Sequence, residues 1–199
     1  MNNEGDFKNY LDSYLNRLNA IFKVIDSKQL AKVIDILIET FENGNTVYVI
    51  GNGGSASTAS HMQADFGFFL RHFTKFRPKV VSLVDNSPLI TAISNDTSFE
   101  NVFMEQLRGK FSPHDVLISF SASGNSSNVL KAVEYAKNIE GKTIAFTGFD
   151  GGKLSGIVDL PMHTPNELND YGPIEDMHVI FNHIIVNYLS KDKRFLAIK

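Results

Sequence analysis

The amino-acid sequence predicts an α/β fold, a parallel sheet with helices on both faces, on two observations. Five short β-rich runs, Val47–Ile50, Val80–Val84, Val116–Phe120, Thr143–Thr147 and Ile157–Met162, are nearly all apolar on both faces, as strands covered by helices must be. Helical segments separate them, at about 54–70, 87–109, 124–139, 151–155 and 173–190. Strand alternating with helix implies right-handed crossovers and a three-layer αβα sandwich.

Two helices precede the sheet. Phe7, Tyr10, Leu11, Tyr14, Leu15, Leu18, Ile21, Phe22 and Ile25 recur at three- and four-residue steps, the mark of a long amphipathic helix. Ser27 can cap a second helix that runs to about Phe41 and ends at Asn43-Gly44-Asn45. That three-residue connection is too short to be an interdomain linker, and no repeat or low-complexity tract breaks the chain. A single domain over residues 1–199 is expected, with N-terminal helices in 1–43 and the αβα core in 44–199.

Composition excludes several function classes. With 43% hydrophobic and 21% charged residues, the chain is an ordinary globular one, long enough to bury a full core. A formal charge of −3 gives no electrostatic case for nucleic acid or an anionic membrane as partner. The absence of cysteine excludes disulfides and thiolate metal sites. The opening MNNEGDFKNY lacks the basic-then-apolar signature of a signal peptide, and no apolar run approaches the ~20 residues that span a bilayer. A cytoplasmic protein is the expectation.

Ligands of parallel α/β sheets sit beyond the carboxyl ends of the strands. Three loops in that position are chemically loaded: Gly51-Asn52-Gly53-Gly54-Ser55 after the first strand, Ser119 to Ser126 after the third, and Thr147 to Gly152 after the fourth. Glycines let backbone N–H groups approach an oxyanion, hydroxyls add donors, and a following helix N-terminus adds its dipole. The first loop lacks the lysine of a P-loop and, with Ala56 at the third glycine position, is not a dinucleotide fingerprint. A phosphate suits these loops.

His61 and Asp65, at i and i+4, share a helix face and can converge on one point. In the last helix the same periodicity selects Glu175 and His178, at i and i+3, over His183.

Four motifs, G-N-G-G-S-A at 51–56, A-I-S-N-D at 92–96, S-A-S-G-N-S at 121–126 and T-G-F-D-G-G at 147–152, together resemble a sugar isomerase (SIS) domain. Within that group the chain is similar to the bacterial phosphoheptose isomerases, over essentially its whole length. The resemblance implies a five-stranded parallel, flavodoxin-like sheet and a homotetramer with sites shared between subunits, the helix from Phe7 to Ile25 packing on its copies. It implies substrate contacts from Asn52, Gly53, Gly54, Asp65, Asn95, Asp96 and Glu175, with phosphate held by Ser121, Ala122, Ser123 and Ser126. Ala122 replaces the family's usual threonine. His61, Asp65, Glu175 and His183 match a metal-binding set, zinc or another borderline divalent ion, in which Asp65 replaces a glutamate and Glu175 a glutamine. His183 matches the catalytic histidine, which leaves His178 as a supporting residue or one at a subunit contact.

The reaction so implied interconverts sedoheptulose 7-phosphate and D-glycero-D-manno-heptose 7-phosphate, feeding a heptose-containing surface polysaccharide. A base moves a proton between C1 and C2 through an enediolate while another group shuttles protons on the oxygens. Asp65 and His183 are the expected pair, and a metal on the same ligands could instead polarise the carbonyl. The alternative is a non-catalytic SIS module that binds a sugar phosphate or a protein partner such as a replication initiator.

Overall fold

A computed structural model describes residues 3–196. Its elements are α1 (Asn3–Phe22), α2 (Ser27–Glu42), β1 (Thr46–Ile50), α3 (Gly54–Ala64), a π-helical stretch (Asp65–Leu70), α4 (Arg71–Phe73), β2 (Lys79–Ser82) and α5 (Ser87–Asp96). After a 3-10 turn (Phe99–Asn101) come α6 (Met104–Leu107), β3 (Val116–Ser121), α7 (Ser127–Asn138), β4 (Lys142–Thr147), α8 (Gly152–Ile157), β5 (Leu160–His163) and α9 (Tyr171–Lys191). All strand pairs are parallel and the order is β2-β1-β3-β4-β5, with Val47 beside both Val80 and Val116. The expected flavodoxin-like sheet is present, and its order reverses between β1 and β3, which places a crevice at their carboxyl ends.

Period-two alternation divides the core into two layers. Val47 and Val49 of β1, Val116, Ile118 and Phe120 of β3, and Ile144 and Phe146 of β4 pack under α2, α3 and α9. Tyr48, Ile50, Leu117 and Ala145 point the other way, under α6, α7 and α8. α2 therefore belongs to the sandwich, burying Leu30, Val33, Ile34, Leu37 and Phe41. α1 joins it only at its end, through buried Ile21, and otherwise lies across the start of α9, tied by Tyr14 Oη to Asp176 at 2.5 Å and by Arg17 to Asp170 at 3.0 Å. Burial and the Asp176 hydrogen bond push the Tyr14 phenol up to about 12. Among the described residues no helix is long and apolar enough to cross a membrane.

Four expectations are corrected. The cap of α2 is Asp26, whose carboxylate accepts from the backbone N–H groups of Lys28 and Gln29, and Ser27 is already helical. Ile157 ends α8 instead of opening a strand, because Val158 N–H closes back on Leu154 O; β5 starts only at Leu160. The segment 87–109 is not one helix: Thr97 leaves helical geometry at φ −129°, ψ −90°, and its N–H and hydroxyl both cap Ile93 O. β2 is an edge strand with Lys79 and Val81 exposed, so it is not covered on both faces.

Candidate active site

The crevice between β1 and β3 begins with two helices that lack the usual cap. α2 and α5 carry Asp26 and Asn86 caps, whereas α3 starts after Gly53 (φ 55°) and α7 after Ser126, neither with a side-chain hydrogen bond to its first turn. Their leading N–H groups are free for an anion, and both helix dipoles favour one there. Between them lies a cleft of about 120 Å³. Asn52 and Ser55 form one wall, Ser121, Ala122, Ser123 and Ser126 a second, and Tyr171 and Glu175 of α9 a third.

The serine loop is held in shape from behind. Ser121 Oγ accepts from Gly124 N at 3.1 Å and Ser123 Oγ from Asn125 N at 3.3 Å, so each hydroxyl keeps its own hydrogen to donate. Gly124 sits at φ 61°, and a Cβ there would lie 2.1 Å from Gly151 O. The loop after β4 is that close because Gly148 N–H donates to Ala122 O and Leu154 N–H to Gly124 O. The T-G-F-D-G-G motif thus braces the serine loop and does not line the cleft. Asn52 is fixed by a reciprocal amide pair with Asn128, 2.9 Å in both directions, which bridges the β1 loop to α7.

Further along the same helices stands a second group. His61 Nε2 lies 3.2 Å from Asp65 Oδ2 and 3.2 Å from His183 Nε2, and His183 Nε2 lies 4.0 Å from Asp65 Oδ2. Their ligand atoms fall within 4.8 Å of one another, a spacing that one metal ion could bridge. Asp65 opens the π-helical stretch, a feature that often marks functional positions. Asn182 Nδ2 donates to Asp65 Oδ2 at 2.7 Å.

The two groups are linked by helix geometry. Gly54 abuts Glu175, and His61 meets His183. The steps of seven and eight residues have the same sign, so α3 and α9 run in parallel. The start of α3, level with Glu175 of α9, and the imidazole–carboxylate trio are then separated by about 10–12 Å along both helices.

The expected residues therefore fall into three places. Asn52, Ser121, Ala122, Ser123 and Ser126 line the cleft, beside Gly53 and Gly54 at the start of α3. His61, Asp65 and His183 form the trio, which Glu175 does not join. Its carboxylate packs on Gly54 instead, where a Cβ would come within 2.3 Å of Oε2, and burial followed by the charge of Asp176 raises its pKa. Asn95 and Asp96 lie exposed at the end of α5, bonded to each other and away from the cleft walls. His178 is not at a subunit surface. It is 1% exposed, packed against Phe120 and Phe146 with no partner for either nitrogen among the described residues, and burial pushes its pKa down to about 3.

Sequence reading missed Asn128, Asn182 and Tyr171. The two asparagines sit on buried helix faces, a polar residue at an apolar-periodic position being the signal that could have found them. Tyr171 carried no pattern; it becomes a wall by packing edge-on against Phe149, ring centroids 5.0 Å apart.

Comparison with known proteins gives a consistent result. The SIS domain profile matches residues 9–148. The chain is 36% identical over 184 residues to the phosphoheptose isomerase of Aliarcobacter butzleri, covering 92% of this chain and 96% of that one. It is similar in structure to a phosphoheptose isomerase from Francisella tularensis (TM-score 0.84, 27% identity, 96% and 100% of the two chains). The same holds for one from Neisseria gonorrhoeae (TM-score 0.82, 26% identity, 94% and 97% covered).

Proposed function

The chain belongs to the SIS domain family and to its phosphoheptose isomerase branch, and on that premise we propose how its own residues carry out the reaction. It is an isomerase acting on a phosphorylated sugar, interconverting sedoheptulose 7-phosphate and D-glycero-D-manno-heptose 7-phosphate. One observation carries the assignment of roles: an anion cradle lies at the starts of α3 and α7, and an acid/base trio lies about 10–12 Å further along α3 and its parallel neighbour α9. A heptose 7-phosphate has its phosphate at one end of the chain and its reacting C1–C2 pair at the other.

The phosphate then rests on the leading N–H groups of α3 and α7 and on the hydroxyls of Ser121, Ser123 and Ser126. Ala122 supplies only its backbone there. Asp65 takes the proton from C2 of the aldose, or C1 of the ketose, and returns it to the neighbouring carbon. His183 moves the proton between O1 and O2. His61, Asp65 and His183, two imidazoles and a carboxylate, suit a zinc ion, and a bound divalent metal would polarise the carbonyl and favour the enediolate. Glu175 supplements that set only by leaving Gly54; where it stands, it faces the sugar beside the phosphate. Asn95 and Asp96 approach substrate from a neighbouring copy.

A cleft of about 120 Å³ is small against the ~300–1,000 Å³ of a complete small-molecule site. That supports a site completed by another subunit, within a homotetramer. Phe7 and Tyr10 of α1, 65% and 61% exposed, and Phe68 of the π-helical stretch, 68% exposed, are surfaces for such contacts. We place the reaction in the cytoplasm, supplying a heptose-containing surface polysaccharide.

The test is direct. Purified protein incubated with sedoheptulose 7-phosphate should yield the aldose signal by NMR, faster with zinc and lost on chelation. No aldose under any metal condition would leave a sugar-phosphate-binding module.

A further inference from the structure

Asp65 reaches the imidazoles with a short side chain, and a buried neighbour determines how. Asn182 precedes His183 on α9 and is 1% exposed. Its Nδ2 donates at 2.7 Å to Asp65 Oδ2, the same oxygen that faces His61 Nε2 at 3.2 Å and His183 Nε2 at 4.0 Å. An ionised carboxylate only accepts, so the amide must present its NH2 group to it. That turns Asn182 Oδ1 the other way, where it is buried without a partner among the described residues. A buried amide with half its hydrogen-bonding capacity unused costs stability that an apolar residue of similar size would not. On the same helix face, one turn earlier, the neutral His178 is also unpartnered, so the interior gives the amide no other described hydrogen bond. What Asn182 does with its remaining capacity is directed wholly at Asp65.

Asp65 needs that support. It stands where α3 passes into the π-helical stretch, its backbone N–H still bonded to His61 O, and its short side chain is 23% exposed, so the backbone alone does not fix where the carboxylate points. We propose that Asn182 is a positioning residue, holding Asp65 Oδ2 toward His61 and His183 for the proton transfer and for metal. The inference rests on the roles given above to Asp65. Hydrogen bonds of this kind behind a ligating carboxylate are typically worth 10–100-fold in metal affinity or activity.

Asn182→Leu keeps the volume and removes the donor; Asn182→Ala serves if the leucine variant does not fold. Zinc affinity is read by competition with a chromophoric chelator, and kcat and KM on sedoheptulose 7-phosphate are measured on the same full-length chains. Zinc affinity and kcat should each fall about 10–100-fold with KM little changed. In an Asp65→Ala background the same substitution should add no further loss, because the amide then has nothing to position. Wild-type zinc affinity and kcat in the Asn182 variant, or losses that multiply on top of Asp65→Ala, would overturn the proposal. Should the wild type neither isomerise this sugar nor bind zinc, the reading of function fails, and a crystal structure of Asn182→Leu still decides this one. A displaced Asp65 carboxylate supports it, and an unmoved one refutes it.

Discussion

His178 shows how far a residue's type can mislead about its role. Its spacing from Glu175 marks it as a site candidate, yet it is packed between phenylalanines and held neutral by burial, its pKa near 3. The unfolded chain takes up a proton near pH 6.5 that the folded chain refuses. Stability is thus unaffected above about pH 6.5, falls as pH drops below it, and levels off below about 3. At pH 5 the penalty is about 2 kcal/mol. His178→Phe should remove it, so urea unfolding of the variant relative to wild type should improve by about that amount between pH 8 and pH 5; parallel profiles would mean that the imidazole is charged or solvated. The phosphate side has its own test. Ser126 makes no cap hydrogen bond, so Ser126→Ala should spare the fold. Loss of one hydrogen bond to a charged acceptor, about 1.5–3 kcal/mol, should weaken sugar-phosphate binding about ten- to a hundredfold by calorimetry. Unchanged affinity would place the phosphate elsewhere.

At the scale of elements, α1 carries an apolar stripe larger than its own chain covers. Leu11 and Leu15 are 42% and 46% exposed, while its ties to α9 run through Tyr14 and Arg17. Leu11→Glu with Leu15→Glu should lower the mass of the assembly in light scattering and leave the thermal midpoint of the dissociated chain within a few degrees, since neither side chain is in the core. An unchanged mass would assign assembly to another surface. Periodicity made α1, α2 and the five strands legible, because each must satisfy either the 3.6 or the two-residue rhythm. Interruptions were not. Thr97 stops α5 and Val158 stops α8 through local backbone bonds that leave no trace in apolar spacing. The π-helical turn at Asp65 and the inward-facing Asn128 and Asn182 follow from tertiary packing alone. His61 and Asp65 could be paired from their spacing; His183 entered through family resemblance, and its contact with His61 depends on the parallel run of α3 and α9. The same run puts Glu175 on Gly54, away from the ligand set that resemblance implied.

The whole molecule combines an anion cradle made by two uncapped helices with an acid/base trio two turns along the same framework. Asp65→Asn and His183→Asn should each lower kcat about 10²–10⁴-fold, the usual worth of a general acid or base, while KM changes little because neither residue lines the phosphate cleft. Equal losses in KM alone would make them binding residues. The central claim is spatial, and a crystal structure of the protein with sedoheptulose 7-phosphate addresses it. The account predicts phosphate oxygens within hydrogen-bond distance of the first N–H groups of α3 and α7 and of Ser121, Ser123 and Ser126, with C1 and C2 beside Asp65 and His183. A sugar phosphate lying with its phosphate against the imidazoles, or bound where neither group reaches it, would contradict the account.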